Sequence, residues 1–235
     1  MISSALIVLA TVAMGTISLI TSLFDSSGRA QHRVAQAWAR MLLKLGRVRA
    51  RAVGLEHIPP NASCVFVSNH LSYMDTPLVL AMIPVQFRFM AKKSLFRVPF
   101  IGYHLKRAGH IPVDRENARA ALRSMSEAAE IVRDRGVSVL VFPEGGRVPK
   151  DETREFKDGA AYIAIKAGVP VVPVGIAGTR EILPMHALRV RGGPAELRIG
   201  EPIPTAGLNT RDHGELTKEL EARVRELAGA GGPTL

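Results

Sequence analysis

From Val48 onward, short apolar runs alternate with stretches of helical periodicity, and this alternation narrows the fold more than any other feature. Cys64-Val65-Phe66-Val67 is a continuous apolar run closed by Ser68-Asn69, as expected of a strand buried on both faces. Thr76 to Met82 has a helical pattern, Phe87 to Met90 reads as a short strand, and Asn117 to Arg135 as a long helix. That helix is expected to bury Ala121, Leu122, Met125, Ala129 and Val132, and Gly136 stops it. Val137 to Phe142 is the most strand-like segment. A helix over Ala160 to Ala167 and a strand over Val171 to Ile176 follow it. A shorter strand, Leu197 to Ile199, precedes a final helix, Glu215 to Leu227, with Leu216, Leu220, Val224 and Leu227 on one face. Elements in this order make an α/β sandwich around a mixed, mostly parallel sheet. The 235 residues suffice for one such domain and a short appendage. The expected division is an N-terminal segment over 1–48, the domain over 49–228 and a loose tail over 229–235.

The N-terminal segment is read as membrane-associated. Met1 to Phe24 has no charged side chain. As a helix it would be about 36 Å long, enough to cross a hydrocarbon core of about 30 Å. Serine, threonine and glycine dilute it, from Ser3 and Ser4 to Thr21 and Ser22. A cleaved signal peptide would carry its basic residues before the apolar run, whereas Arg29, Arg33, Arg40, Lys44 and Arg47 follow it here. Under the positive-inside rule the domain then stays on the cytoplasmic side. Gln31 to Val48 reads as a second helix, with Val34, Ala37, Trp38, Met41, Leu42 and Leu45 at helical spacing. Its face suits either the lipid interface or packing on the domain.

Charge supports the same placement. Lys and Arg number 31 against 21 Asp and Glu, a formal net charge of +10. Residues 28–135 carry 18 basic and 7 acidic side chains, while 136–235 carry 13 of each. An excess lying just behind an apolar segment fits an anionic membrane surface better than a nucleic-acid groove. Arg outnumbers Lys 23 to 8, which suits a GC-rich bacterial genome, so the expected location is the cytoplasmic face of a bacterial inner membrane. The one cysteine, Cys64, excludes an intramolecular disulfide framework and a multi-cysteine zinc site.

The densest chemistry lies in Ser68-Asn69-His70-Leu71-Ser72-Tyr73-Met74-Asp75, where a buried-looking strand ends at a histidine with an aspartate five positions on. If a helix starts near Ser72, Asp75 sits in its first turn, from which its carboxylate reaches back to the imidazole. A carboxylate there fixes the tautomer, leaving the other ring nitrogen as a base. G-x-S-x-G, Walker A, G-x-G-x-x-G and H-E-x-x-H are absent, and Cys64 lies inside an apolar run. A base and an orienting acid without a protein nucleophile imply that the substrate brings its own, most simply a hydroxyl. Three further elements follow. Gly109-His110-Ile111-Pro112-Val113-Asp114-Arg115 puts an arginine after a short strand. Phe142-Pro143-Glu144-Gly145-Gly146-Arg147 puts glycines and a guanidinium fork after the strongest strand. Val169-Pro170-Val171-Val172-Pro173-Val174 has prolines that suit an edge or bulged strand.

In this order the four elements resemble the glycerolipid acyltransferases, specifically the 1-acylglycerol-3-phosphate acyltransferase branch. That pattern runs N-H-x-x-x-x-D, G-x-I-x-x-x-R, F-P-E-G-T-R and a V-P-V-x-P-V strand, and Ala91-Lys92-Lys93-Ser94-Leu95-Phe96 is similar to its A-K-K-E-L-F segment. The likeness covers roughly residues 53–200. Two positions depart from it: the family Thr after F-P-E-G is Gly146, and the Glu after A-K-K is Ser94. Both bear on the acceptor more than on the reaction class.

The resemblance implies a membrane-bound O-acyltransferase. His70 is the implied base and Asp75 its orienting partner. Arg115, Glu144, Gly145, Gly146 and Arg147 are the implied acceptor-binding residues, with the two arginines on a phosphate. The implied acyl donor is a thioester of acyl carrier protein or coenzyme A, and the acceptor is a membrane lyso-lipid. No metal or other cofactor and no nucleic acid is expected. Two alternatives share the motifs: acylation of another lyso-lipid such as lyso-ornithine lipid, and a non-catalytic lipid-binding protein on the same fold.

Overall fold

The computed structural model describes residues 4–150, 152–187 and 189–229. Two helices open the chain, α1 (Ser4–Thr21) and α2 (Arg29–Leu45). The domain then runs β1 (Val48–Val53), β2 (Val65–Ser68), α3 (Asp75–Met82), β3 (Phe87–Lys92), α4 (Ile101–Arg107) and β4 (Ile111–Val113). It continues with α5 (Ala118–Arg135), β5 (Ser138–Val141), α6 (Gly159–Ala167), β6 (Val171–Ala177), α7 (Thr179–Ile182), β7 (Gly193–Ile199) and α8 (His213–Gly229). The seven strands form one sheet in the order β1-β7-β6-β2-β5-β3-β4. Every neighbouring pair is parallel except β6 with β7. The expected α/β sandwich on a mostly parallel sheet is therefore the observed fold.

Two apolar layers cover the sheet, and strand alternation divides the side chains between them. Phe66, Leu140, Val172 and Val174 face the layer that holds Leu78 and Val79 of α3 and Ala39 and Leu43 of α2. Val65, Val67, Val139 and Val141 face the other, with α5, α6 and α8 supplying Ala129, Val132, Ala161, Ile163, Leu216 and Leu220. At Gly175, α8 comes so close to β6 that a Cβ would lie 2.5 Å from the Leu227 backbone.

Several expectations need correcting. Val171–Ala177 is neither an edge nor a bulge but lies between β2 and β7. Pro173 is tolerated because β6 pairs with β7 only from Val174 onward. Its carbonyl accepts from Gly200 N–H at 2.9 Å, and its own nitrogen shares that edge, beyond the ladder. Leu122 is 49% exposed, while α5 buries Ala129 and Val132 as expected and Ala128 in addition. The second helix ends at Leu45, and Val48 already belongs to a strand. Ala37 faces solvent, and Trp38 donates its indole N–H to Thr11 Oγ1 at 3.1 Å, so that side of α2 carries α1.

Among the described residues, α1 of the expected segment Met1 to Phe24 included, no helix is long and apolar enough to cross a membrane. Its first three residues lie outside the described ones, as do 230–235 of the expected tail. The helix is fastened to the domain by polar contacts: Ser18 Oγ pairs with His104 Nδ1 at 2.7 Å, Arg107 donates to the Ser22 carbonyl, and buried Arg88 donates to the Ser27 carbonyl at 2.8 Å. Its outer face is apolar, with Val8, Leu9, Val12 and Ile20 exposed and Leu23 and Phe24 exposed just beyond it.

Candidate active site

The parallel strands β2, β5, β3 and β4 end on one edge, and the loops that leave them carry the predicted residues. Asn69 anchors this edge. Its side-chain amide donates to the Ile176 carbonyl at 3.0 Å and accepts from the Ile176 N–H at 2.7 Å. It thereby continues the β2–β6 ladder by one rung after β2 ends at Ser68. The next residue, His70, is thrown clear of the sheet.

Asp75 is the first residue of α3 and is wholly buried. Its Oδ2 accepts from His70 Nδ1 at 2.7 Å and from the backbone N–H groups of Leu71 and Ser72 at 2.6 and 2.8 Å. The loop is thus wrapped around one carboxylate oxygen. An ionised carboxylate only accepts, so Nδ1 carries the proton and Nε2 is left as the base. The imidazole is 17% exposed and stacks on Phe142, with ring centroids 4.1 Å apart and planes at 16°. Phe142 and Asn69 are positioning residues that the motif reading left without a role.

Glu144 locks the other side of the histidine. Its Oε2 accepts from the His70 backbone N–H at 2.6 Å, while the His70 carbonyl accepts from Val148 N–H at 3.0 Å. Burial drives the Glu144 carboxyl up to about 8, and the nearby Asp75 charge pushes the same way. The hydrogen bond from His70 and the charges of Arg154 and Arg180 oppose that rise. Arg180 also donates to the Val148 carbonyl at 2.9 Å, bracing the loop.

Of the remaining predicted residues, Gly145 turns the chain with φ +74°, a conformation that favours glycine. Its carbonyl accepts from the Arg115 guanidinium. Arg147 takes a different partner, lying over the Tyr73 ring 3.4 Å from its centroid. The structure thus gathers His70, Asp75, Glu144, Gly145, Gly146 and Arg115 around one loop crossing and puts Arg147 on its Tyr73 side. Sequence reading missed Arg154 and Arg180, because no spacing marks them. The nearby Ser72 hydroxyl is engaged, donating to the Leu183 carbonyl at 2.8 Å, while Cys64 lies buried at the opposite end of β2 from His70, its thiol pushed up to about 12 by burial. Among the described residues no group of three or more His, Cys, Asp or Glu is placed to hold a metal ion.

The acyltransferase family model matches residues 49–177, a span that contains His70, Asp75, Arg115, Glu144 and Arg147. Human 1-acyl-sn-glycerol-3-phosphate acyltransferase alpha is 33% identical over 191 residues, covering 79% of this chain and 68% of that protein. The chain belongs to the 1-acyl-sn-glycerol-3-phosphate acyltransferase family. A chloroplastic member from Brassica napus is 34% identical over 184 residues, 77% of this chain, and the chain spans 53% of its length. The crystal structure of the family's 1-acyl-sn-glycerophosphate (LPA) acyltransferase PlsC from Thermotoga maritima superposes with a TM-score of 0.79 at 28% identity, covering 97% of this chain and 95% of that one.

Proposed function

We propose that the chain moves a fatty acyl group from an acyl thioester to the free hydroxyl of 1-acyl-glycerol-3-phosphate, giving phosphatidic acid. The observation that carries this reading is the 2.7 Å His70–Asp75 pair, a positioned base with no free nucleophile beside it among the described residues. His70 Nε2 takes the proton of the acceptor hydroxyl as its oxygen attacks the thioester carbonyl. The C–O bond forms, the C–S bond breaks, and the imidazolium returns the proton to the departing thiolate. Asp75 stabilises the imidazolium in between. The donor is an acyl carrier protein or coenzyme A thioester, and the chain needs no resident cofactor. The named activities of the human, Brassica and Thermotoga relatives support the acceptor.

The reading places the protein on the cytoplasmic face of a bacterial inner membrane, held on one leaflet. Three observations support this: the exposed apolar face of α1, the exposed Phe100 and Ile101 of the neighbouring α4 region, and the basic excess in residues 28–135. Gly146, which removes the family hydroxyl, favours a second reading in which the acceptor is a lyso-ornithine lipid. An acyl-transfer assay with a radiolabelled thioester, offering lysophosphatidic acid and lyso-ornithine lipid side by side, separates the two. The first reading predicts preferential conversion of lysophosphatidic acid to phosphatidic acid. Preferential acylation of lyso-ornithine lipid would replace it with the second.

A further inference from the structure

The loop after β5 has no side chain at Gly146, yet the space that one would fill is ringed by cations. A Cβ built on Gly146 would lie 3.6 Å from Arg154 Nη1 and 3.7 Å from Arg115 Nη1, so two guanidiniums from distant segments reach the same point. At the adjacent Gly145 a Cβ would lie 3.3 Å from Lys157 Nζ. Like charges do not gather at one point without something to offset their repulsion. Among the described residues Glu152 is the carboxylate bonded to this group, holding Arg154 Nη2 at 3.3 Å and leaving Nη1 turned to Gly146, while the Glu144 carboxyl feels the Arg154 charge without a bond to it. Arg115 spends Nη1 on the Gly145 carbonyl and keeps its other nitrogens. The Arg154 segment is itself fastened: buried Phe156 donates its N–H to Glu221 at 3.1 Å, and Lys157 donates its N–H to the Pro143 carbonyl at 3.1 Å.

We propose that Arg154 is a specificity-determining residue that completes the acceptor-phosphate site with Arg115 and Lys157, its guanidinium occupying the space left by the missing side chain at Gly146. The proposal rests on the reading of lysophosphatidic acid as acceptor. A phosphomonoester is a dianion with three acceptor oxygens, and a set of converging forks and an ammonium matches it. The group also explains how this chain manages without the hydroxyl its relatives' motif carries: an arginine seven positions beyond Arg147 supplies the donor instead. Arg147, expected on the phosphate, lies instead over the Tyr73 ring, 3.4 Å from its centroid.

The test compares Arg154→Ala with the wild-type chain on lysophosphatidic acid and on lyso-ornithine lipid, which has no phosphate. Arg154 is exposed, so the variant keeps the fold, checked by its melting curve. Losing one charge-assisted contact is expected to raise KM for lysophosphatidic acid about tenfold or more, with a smaller change in kcat and little change for lyso-ornithine lipid. Arg154→Lys should recover part of the loss. Adding Gly146→Thr to Arg154→Ala should recover part as well, because a hydroxyl then returns to the vacated space. An unmoved KM, or equal losses on both acceptors, would overturn the phosphate contact; absence of rescue by Thr would overturn the replacement. A wild-type chain that acylates neither acceptor would instead overturn the functional reading, and the proposal with it.

Discussion

At the scale of the residue, the central feature is how much of the local structure serves one imidazole. Asp75 holds Nδ1, Glu144 holds the backbone N–H, Val148 holds the carbonyl and Phe142 covers the ring face. His70→Ala should therefore lower kcat by about 10²–10⁴-fold while the protein stays folded, as a steady-state assay and a melting curve would show together. Asp75→Asn should cost less, since a base survives in the wrong tautomer. Glu144 makes a pH prediction whose sign follows from its raised pKa. Between its ordinary value of 4.5 and about 8 the folded state holds this proton and the unfolded state does not. Stability from this group is thus fully present below 4.5 and declines as pH rises toward 8. Glu144→Gln keeps an acceptor for the His70 N–H and should flatten that decline, by an amount on the order of a few kcal/mol. Denaturant midpoints from pH 5 to 8 check it, and parallel profiles for the two proteins would contradict it.

At the scale of the element, β2 and β5 were legible because they are continuous apolar runs, whereas β1 was not, since Arg49 and Arg51 alternate with its apolar residues, and Glu196 and Arg198 hid most of β7. The position of β6 was not, since proline speaks against a ladder and only the stagger of β7 explains why Pro173 does no harm. The His70–Asp75 contact was legible because five positions across a strand-to-helix turn fix its geometry. Arg154 was not, because it meets Gly146 only through the return of a loop. Asn69 shows how the elements hold the site: Asn69→Ala leaves both backbone groups of Ile176 without their partners and should cost about 2–4 kcal/mol, measured by chemical denaturation. The α1–α2 hairpin makes a further prediction. His32 is lowered to about 4 by burial and by the nearby Arg88 charge, and burial also lowers His104 and drives His110 well below the usual range. The unfolded chain takes up these protons first, so stability falls as pH drops from 6.5 toward 4. Amide exchange in α1 and α2 should speed up over that window. Removing residues 1–27 should destabilise the domain as well, because Arg88, Arg107 and His104 lose their partners.

At the scale of the whole molecule, the exposed apolar side chains of α1 adjoin those of the α4 region. The apolar face of α1 and the exposed Phe100 lie on packed neighbours, and the segment after β3 that carries Phe100 leaves from the same sheet edge as His70. The charge excess sits in residues 28–135, which include α2 and the loops beside that edge. On the proposed function a lyso-lipid would present its hydroxyl to the base without leaving the bilayer surface. Flotation with anionic vesicles should recover the protein with lipid, and added salt should weaken but not abolish the association, since the apolar contact persists. Loss of all binding at high salt would contradict the apolar half of this picture. The claim on which the whole account turns is that His70 activates an acceptor hydroxyl. The most direct measurement is acyl transfer from a radiolabelled thioester to lysophosphatidic acid by the wild-type chain and by folded His70→Ala, side by side on vesicles. The account predicts labelled phosphatidic acid from the first and a loss of at least about a hundredfold in the second; near-normal turnover by the variant would contradict it.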